Sequence, residues 1–211
     1  MLRHYGPQQW WPGDTCFEIM AGAVLTQATS WTNAAKAISN LKVVDALTPR
    51  AIRSLSHKKL AALIYPCGYY NSKAQKLKAL AEYLGQRFND DLKAMSDEKI
   101  DVLRPQLLEV YGIGEETADD ILLYALGKSA FVVDSYTKRL FFRLGLAPEK
   151  ASYSTYIGMV HTDLPSSPEL FNEYHGLIVH HCKEVCRKEP LCQTCCLVEV
   201  CPTGKTMTST P

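Results

Sequence analysis

The chain has 211 residues, 46% of them hydrophobic, which suits one sizeable core or two small lobes and is too apolar for a disordered chain. Its 23 Lys and Arg stand against 22 Asp and Glu for a formal net charge of +1, so bulk charge does not announce a nucleic-acid partner and any basic surface must be local. Eight cysteines would suit a small secreted disulfide scaffold, but six of them fall between Cys182 and Cys201, and clustering in a reducing compartment points to a metal site.

Along the chain, the first residues, Met1 to Pro7, lack the charged start, apolar run and small-residue cleavage site of an export signal, and no later run reaches membrane-spanning length; the expected location is the cytoplasm. Helical patterns follow one another with little period-two alternation, so the expected class is all-α. Thr48-Pro49, Ser56, Asn71-Ser72, and Ser96 followed by Asp97 and Glu98 read as helix starts. Leu77, Leu80, Ala81 and Leu84 keep the spacing of one buried helix face and read as core. Gly112 and Gly114 break the pattern between 103–110 and 116–126, too closely for a long loop, and predict two helices joined by a tight glycine hairpin. Two glycines with positive φ would turn N–H groups outward and favour a phosphate; glycines also end helices for purely structural reasons. Asp134 follows the apolar run Phe131-Val132-Val133, where the plain reading of an acidic residue is a helix N-cap. From Thr203 to Pro211 a polar tail is expected to fray.

Several of these features occur in the order seen in one protein family. Leu25-Thr26-Gln27-Ala28-Thr29, Gly68-Tyr69-Tyr70-Asn71-Ser72-Lys73-Ala74, the hairpin Val110 to Ala118, Val133-Asp134 and the terminal cysteines together resemble the endonuclease III family of the helix-hairpin-helix DNA glycosylase superfamily, and the resemblance spans most of the chain. It implies two helical lobes: a six-helix barrel over 19–130 carrying the helix-hairpin-helix, and a second lobe from 1–18 and 131–211 carrying an iron–sulfur cluster. It further implies a monomer holding double-stranded DNA with a damaged base in a groove between the lobes, associated with the nucleoid. Asp134 would be the catalytic carboxylate facing the sugar of a nucleotide rotated out of the stack. Gln27 and Tyr69 match gap-filling positions; otherwise Gln27 is a capping polar residue and Tyr69 an ordinary aromatic. Gly112, Ile113 and Gly114 would meet the DNA backbone.

Relatives that also cut the strand use a lysine at the second residue after the last hairpin glycine to form a Schiff base. Here that residue is Glu116, and a carboxylate cannot form an imine. Water attack remains, with Asp134 stabilising the cationic sugar. Lys138, one helical turn beyond Asp134, is either another amine for the site or a surface lysine.

Trp10-Trp11-Pro12, Thr26 to Trp31 and Gly112 to Asp119 are most similar to the 3-methyladenine glycosylase branch. That branch implies an alkylated purine sandwiched between Trp31 and one of Trp10 and Trp11, since an aromatic face attracts a cation by about 0.5–2 kcal/mol. The plain alternative makes all three tryptophans core or lobe-interface residues. One departure stands out: His175-Gly176 is followed by Leu177, where the branch carries a lysine. Two competing functions are a bifunctional glycosylase and AP lyase acting on oxidised pyrimidines, and a non-catalytic helix-hairpin-helix DNA-binding protein.

Cys186, Cys192, Cys195 and Cys201 are spaced by five, two and five residues, one fewer in the first gap than the family pattern. The resemblance implies a [4Fe–4S] cluster; a four-cysteine zinc site would use the same ligands. Cys182, one turn earlier, and Cys196 leave ligand identity open, with Cys196 expected to be a small buried residue. Cys16 and Cys67 read as structural. Arg187 and Lys188 are the candidates for phosphate contact beside the cluster.

Overall fold

The structure, a computed structural model, describes residues 1–209. It is 67% helical, with no strand among the described residues, the all-α class expected from periodicity. In chain order the helices are α1 (Leu2–Tyr5), α2 (Cys16–Leu25), α3 (Trp31–Val43), α4 (Pro49–Ser54), α5 (His57–Leu63), α6 (Tyr70–Phe88), α7 (Leu92–Asp97), α8 (Ile100–Glu109), α9 (Glu115–Asp120), α10 (Ser135–Arg143), α11 (Tyr153–Asp163), α12 (Pro168–Glu184) and α13 (Pro202–Ser209). No helix among the described residues is long and apolar enough to cross a membrane.

The chain divides into two compact units, one of Pro12–Ala130 and one of Met1–Trp11 with the chain from Phe131 onward. The first junction falls at residue 11 rather than 18. Thr15 already caps α2 by accepting from the Glu18 N–H at 3.1 Å, and α2 belongs to the core of the 12–130 unit.

In that unit α2 is buried on nearly every side, with Met20, Ala21, Val24 and Leu25 wholly inaccessible. A helix apolar all round must lie inside, and α3, α6 and α9 pack against it. The predicted stripe of α6, Leu77, Leu80, Ala81 and Leu84, is fully buried. Thr48 and Ser56 cap α4 and α5 as read, accepting from Ala51 and Lys59. Two predicted helix starts move. Asn71-Ser72 lies inside α6, which opens from Tyr69 in the left-handed region with no side-chain cap. Ser96 lies inside α7, because Asp91 supplies the capping oxygen earlier, accepting from Lys93 and Ala94 N–H, while the Ser96 hydroxyl donates to the Leu126 carbonyl.

Lys73 of α6 is buried, with Nζ donating to the carbonyls of Leu25 and Cys67 at 2.8 Å each. The Leu25 carbonyl ends α2, where the helix dipole favours a cation. Burial holds the ammonium below the ordinary lysine pKa. Arg104 of α8 grips Asp119 of α9 by two bonds of 2.7 and 3.0 Å, tying together the two helices that flank the hairpin.

The other unit is built on Phe131, Val133, Tyr156, Phe171 and Ile178, all inaccessible to solvent. The tail expected to fray forms α13 instead: Thr203 donates to the Arg143 carbonyl at 3.1 Å and Gly204 N–H to Cys201 Sγ at 3.3 Å, so docking on α10 and on the cysteine loop orders a segment whose composition is polar. Residues 210 and 211 of that tail lie outside the described residues.

Candidate active site

Asp134 closes the buried run Phe131-Val132-Val133 and opens α10. Its Oδ1 accepts the Thr137 N–H at 2.7 Å, the N-cap bond read from the sequence. Its Oδ2 is left for a second partner, His175 Nε2 of α12, at 3.5 Å; the two side chains are 13% and 3% exposed. Burial pushes the Asp134 carboxyl up, but the His175 charge and the bonds from His175 and Thr137 outweigh it, and the net pKa lies below the ordinary aspartate value. A buried carboxylate is thereby kept ionised. The sequence carries no local sign of His175 as a partner for Asp134, since only the packing of α12 on α10 brings the two together.

The Gly176 beside it has a steric reason: a Cβ there would lie 3.0 Å from Trp10 Cβ and 3.2 Å from Gln8 Cβ, so glycine lets residues 8–10 run against α12. The Gln8 N–H donates to Glu173 Oε1 at 2.9 Å, holding that segment. Trp10 and Trp11 are half-buried and meet edge to face at 5.3 Å, and Lys183 Nζ stands 5.7 Å from the Trp10 ring centre. One face of Trp10 already has its cation. Leu177 is buried and faces an apolar cavity with Phe141, Tyr174 and Leu170. Lys138 is exposed, as a surface lysine would be.

In the 12–130 unit the hairpin between α8 and α9 differs from expectation in one respect. Gly112 has φ +80°, whereas Gly114 is extended and stands as N-cap of α9 with open space around it. Ile113 is 4% exposed, so its side chain anchors the hairpin and only its backbone is presented. Glu116 is exposed in the first turn of α9, where a carboxylate suits the positive helix end. The Gln27 amide is bonded at both ends: Nε2 donates to the Gly112 carbonyl at 3.0 Å and to Thr117 Oγ1 at 2.9 Å, and Oε1 accepts from Lys76 Nζ at 2.6 Å. Tyr69, 73% exposed, has φ +46°, a conformation costing a bulky residue about 1–3 kcal/mol. Trp31 is half-buried at the start of α3, behind the Ser30 cap.

Cys186, Cys192, Cys195 and Cys201 line one small enclosed cavity, walled by Leu140 and Leu144. Three of their sulfurs face N–H donors: Arg143 Nη1 to Cys186 at 3.2 Å, Leu197 N to Cys195 at 3.4 Å and Gly204 N to Cys201 at 3.3 Å. Such donors stabilise thiolates rather than thiols. Among the described residues, no three His, Cys, Asp or Glu converge on a single-ion site. Cys182 is turned toward the Tyr136 carbonyl, and Cys196 is exposed, contrary to its expected burial. Cys67 is buried, and Cys16 donates to the Ala125 carbonyl. Arg143 also donates to the carbonyls of Arg187 and Lys188 at 2.6 and 2.9 Å, fixing their backbone while both side chains stay exposed.

Residues 21–156 match the HhH-GPD superfamily of base excision DNA repair proteins. A Methanocaldococcus jannaschii protein provisionally named a DNA repair glycosylase is 46% identical over 202 residues, spanning 95% of this chain and 92% of the relative. Endonuclease III of Sulfolobus acidocaldarius is 29% identical over 186 residues, covering 88% and 81%. Among solved structures, H. pylori 3-methyladenine DNA glycosylase bound to 1,N6-ethenoadenine is similar at TM-score 0.73 and 31% identity, over 87% of this chain and 92% of that one. A trapped endonuclease III–DNA covalent intermediate shares the fold at TM-score 0.84 and 21% identity, over 98% and 93%. With a family match over most of its length and a relative 46% identical over 202 residues, the chain belongs to the HhH-GPD superfamily of base excision DNA repair proteins.

Proposed function

We propose that this repair glycosylase is monofunctional and hydrolyses the N-glycosidic bond of an alkylated purine, such as 3-methyladenine, in double-stranded DNA. The observation that carries the reading is Asp134, buried yet held ionised by His175 and Thr137. An N-alkylated purine is cationic and leaves as a neutral base, taking the electron pair of the C1′–N bond. Positive charge then develops on the sugar, and a fixed carboxylate in a dry site stabilises it more than water would. Water adds to C1′ and gives up its proton with Asp134 as acceptor. Glu116 offers no amine for a Schiff base, which supports hydrolysis over strand cleavage. The likeness to the H. pylori 3-methyladenine glycosylase supports the substrate class. Trp11 and Trp31 are the stacking candidates, with Trp10 the weaker because Lys183 occupies one of its faces. The protein acts as a monomer in the compartment that holds the DNA.

A panel of duplexes carrying alkylated, oxidised or deaminated bases tests this reading, with free base and strand breaks scored separately. Release from alkylated-purine duplexes without breaks is expected. A borohydride-trapped protein–DNA adduct on abasic DNA would overturn the monofunctional assignment, and release confined to oxidised pyrimidines would overturn the substrate.

We further propose that Cys186, Cys192, Cys195 and Cys201 hold a [4Fe–4S] cluster. The donor set fits: four sulfurs around one apolar cavity, three of them facing N–H groups. When bound, the cluster serves as a structural cross-link of the 186–201 loop. That loop presents Arg187 and Lys188 toward phosphate. Purified protein is expected to contain iron and acid-labile sulfide in equal amounts; zinc without sulfide would refute the assignment.

A further inference from the structure

Residues 1–11 have little structure of their own to hold them. Helix α1 is four residues long, has no side-chain cap and buries none of its residues. The segment is held by one side of α12 instead. The Gln8 N–H is bonded to Glu173, Gly176 makes room for residues 8–10, and the Tyr5 ring meets the His180 ring edge to face at 4.6 Å. The shortest of these contacts joins the Tyr5 hydroxyl to Nδ1 of His181 at 2.7 Å.

His181 is wholly inaccessible to solvent, and its other ring nitrogen is engaged as well: Nε2 faces Cys195 Sγ at 3.6 Å. Each contact fixes the sense of the other. A neutral imidazole carries one ring hydrogen, and a thiolate at Cys195 can only accept, so Nε2 carries that hydrogen and Nδ1 is left to accept from the Tyr5 hydroxyl. The Cys196 sulfur stands within hydrogen-bonding reach of the same hydroxyl. Tyr5 therefore meets the cysteine loop twice, through His181 and at Cys196, and the segment that it anchors leads directly into Trp10 and Trp11.

We infer that Tyr5 and His181 are positioning residues: the hydrogen-bonded series Tyr5–His181–Cys195 docks residues 1–11 on the metal-loaded cysteine loop, so that loading of the loop sets the place of Trp10 and Trp11. The inference rests on the reading of the four cysteines as a cluster site, because it needs Cys195 as a bound thiolate. It gives the loop a task besides the presentation of Arg187 and Lys188.

Hydrogen exchange and the reduction potential of the loaded protein test it together. Tyr5→Phe keeps the ring against His180 and removes only the hydroxyl. With iron and sulfide content unchanged, it is expected to speed amide exchange over residues 6–11 about five-fold, as the loss of one hydrogen bond would, while the amides of α10 stay protected. Donation to a ligand sulfur raises a cluster's potential, and without the Tyr5 hydroxyl the ring hydrogen is no longer held at Nε2. Tyr5→Phe is therefore also expected to lower the potential, although Tyr5 acts on Cys195 only through His181. His181→Leu should speed exchange as much as Tyr5→Phe, and the double variant no more than either. If His181→Leu does not retain metal, the two readouts on Tyr5→Phe decide alone. Exchange over 6–11 at the wild-type rate in Tyr5→Phe, or additive rises in the double variant, would overturn the inference. Faster exchange with an unchanged potential would overturn it as well, by reducing Tyr5 to a packing contact with no link to Cys195. Zinc in the purified wild type would instead refute the cluster reading. The exchange comparison would then still decide the docking, because a zinc-bound thiolate accepts the same bond.

Discussion

Asp134→Asn is expected to lower single-turnover base release by about 10²–10⁴-fold while leaving the fold and DNA binding near wild type. The selectivity follows from the two oxygens doing different work. Asparagine is as good an N-cap as aspartate, so the bond from Thr137 N–H survives and α10 keeps its start. What is lost is the negative charge at the second oxygen, beside His175. Base release, DNA affinity and thermal midpoint measured on the same preparation separate these effects. Unchanged release would remove Asp134 from the chemistry; loss of folding together with release would reduce it to a cap.

His175→Gln is expected to move the acid limb of base release upward in pH and to lower the plateau. The direction comes from the balance at Asp134. Burial, the largest influence, raises its pKa, and the neighbouring imidazole is the main influence that brings it below the ordinary value. Glutamine can still bond the carboxylate but carries no charge, so burial prevails and the carboxyl protonates nearer neutrality. Stability changes sign with it. In the wild type, a folded pKa below the unfolded value of about 3.9 means that Asp134 adds stability above that pH and loses it as pH falls through the folded pKa. In the variant the folded pKa lies above the unfolded one, so the contribution of Asp134 to stability declines as pH rises between them. Base release and unfolding midpoints followed from about pH 4 to 8 read both effects. An acid limb that does not move would show that His175 does not set the Asp134 charge.

Both residues also show where reading the chain stops. Asp134 is legible because its signal is local: an acidic residue after an apolar run, at the start of a helix. His175 carries no such signal. A histidine before a glycine in α12 looks like any core histidine until α12 packs on α10, and the glycine is explained only by the approach of residues 8–10. The hairpin divides in the same way. Two glycines between helices announce it, but only the fold shows that Gly112 takes positive φ, with the Lys76 stem where a Cβ would lie, while Gly114 serves as an extended N-cap. Gln27 and Tyr69 are adjacent to the same hairpin logic in the sequence, yet one is tied down and the other exposed.

The sequence by itself determined the helices, the buried stripe of α6, the caps at Thr48 and Ser56, the acidic N-cap at Asp134 and the clustering of cysteines, because each depends on neighbours within a few turns. Tertiary structure alone decided which groups meet: His175 with Asp134, Lys76 with Gln27 and the hairpin, Lys73 with two carbonyls, and which four of six clustered cysteines share a cavity. It also ordered the 202–209 tail, whose polar composition predicts fraying until the Arg143 carbonyl and the Cys201 sulfur accept its donors. The physical reason is common to all of them. Periodicity and capping are properties of one stretch of chain, whereas the charge on a buried carboxylate or the freedom of an amide depends on partners supplied by stretches distant in sequence.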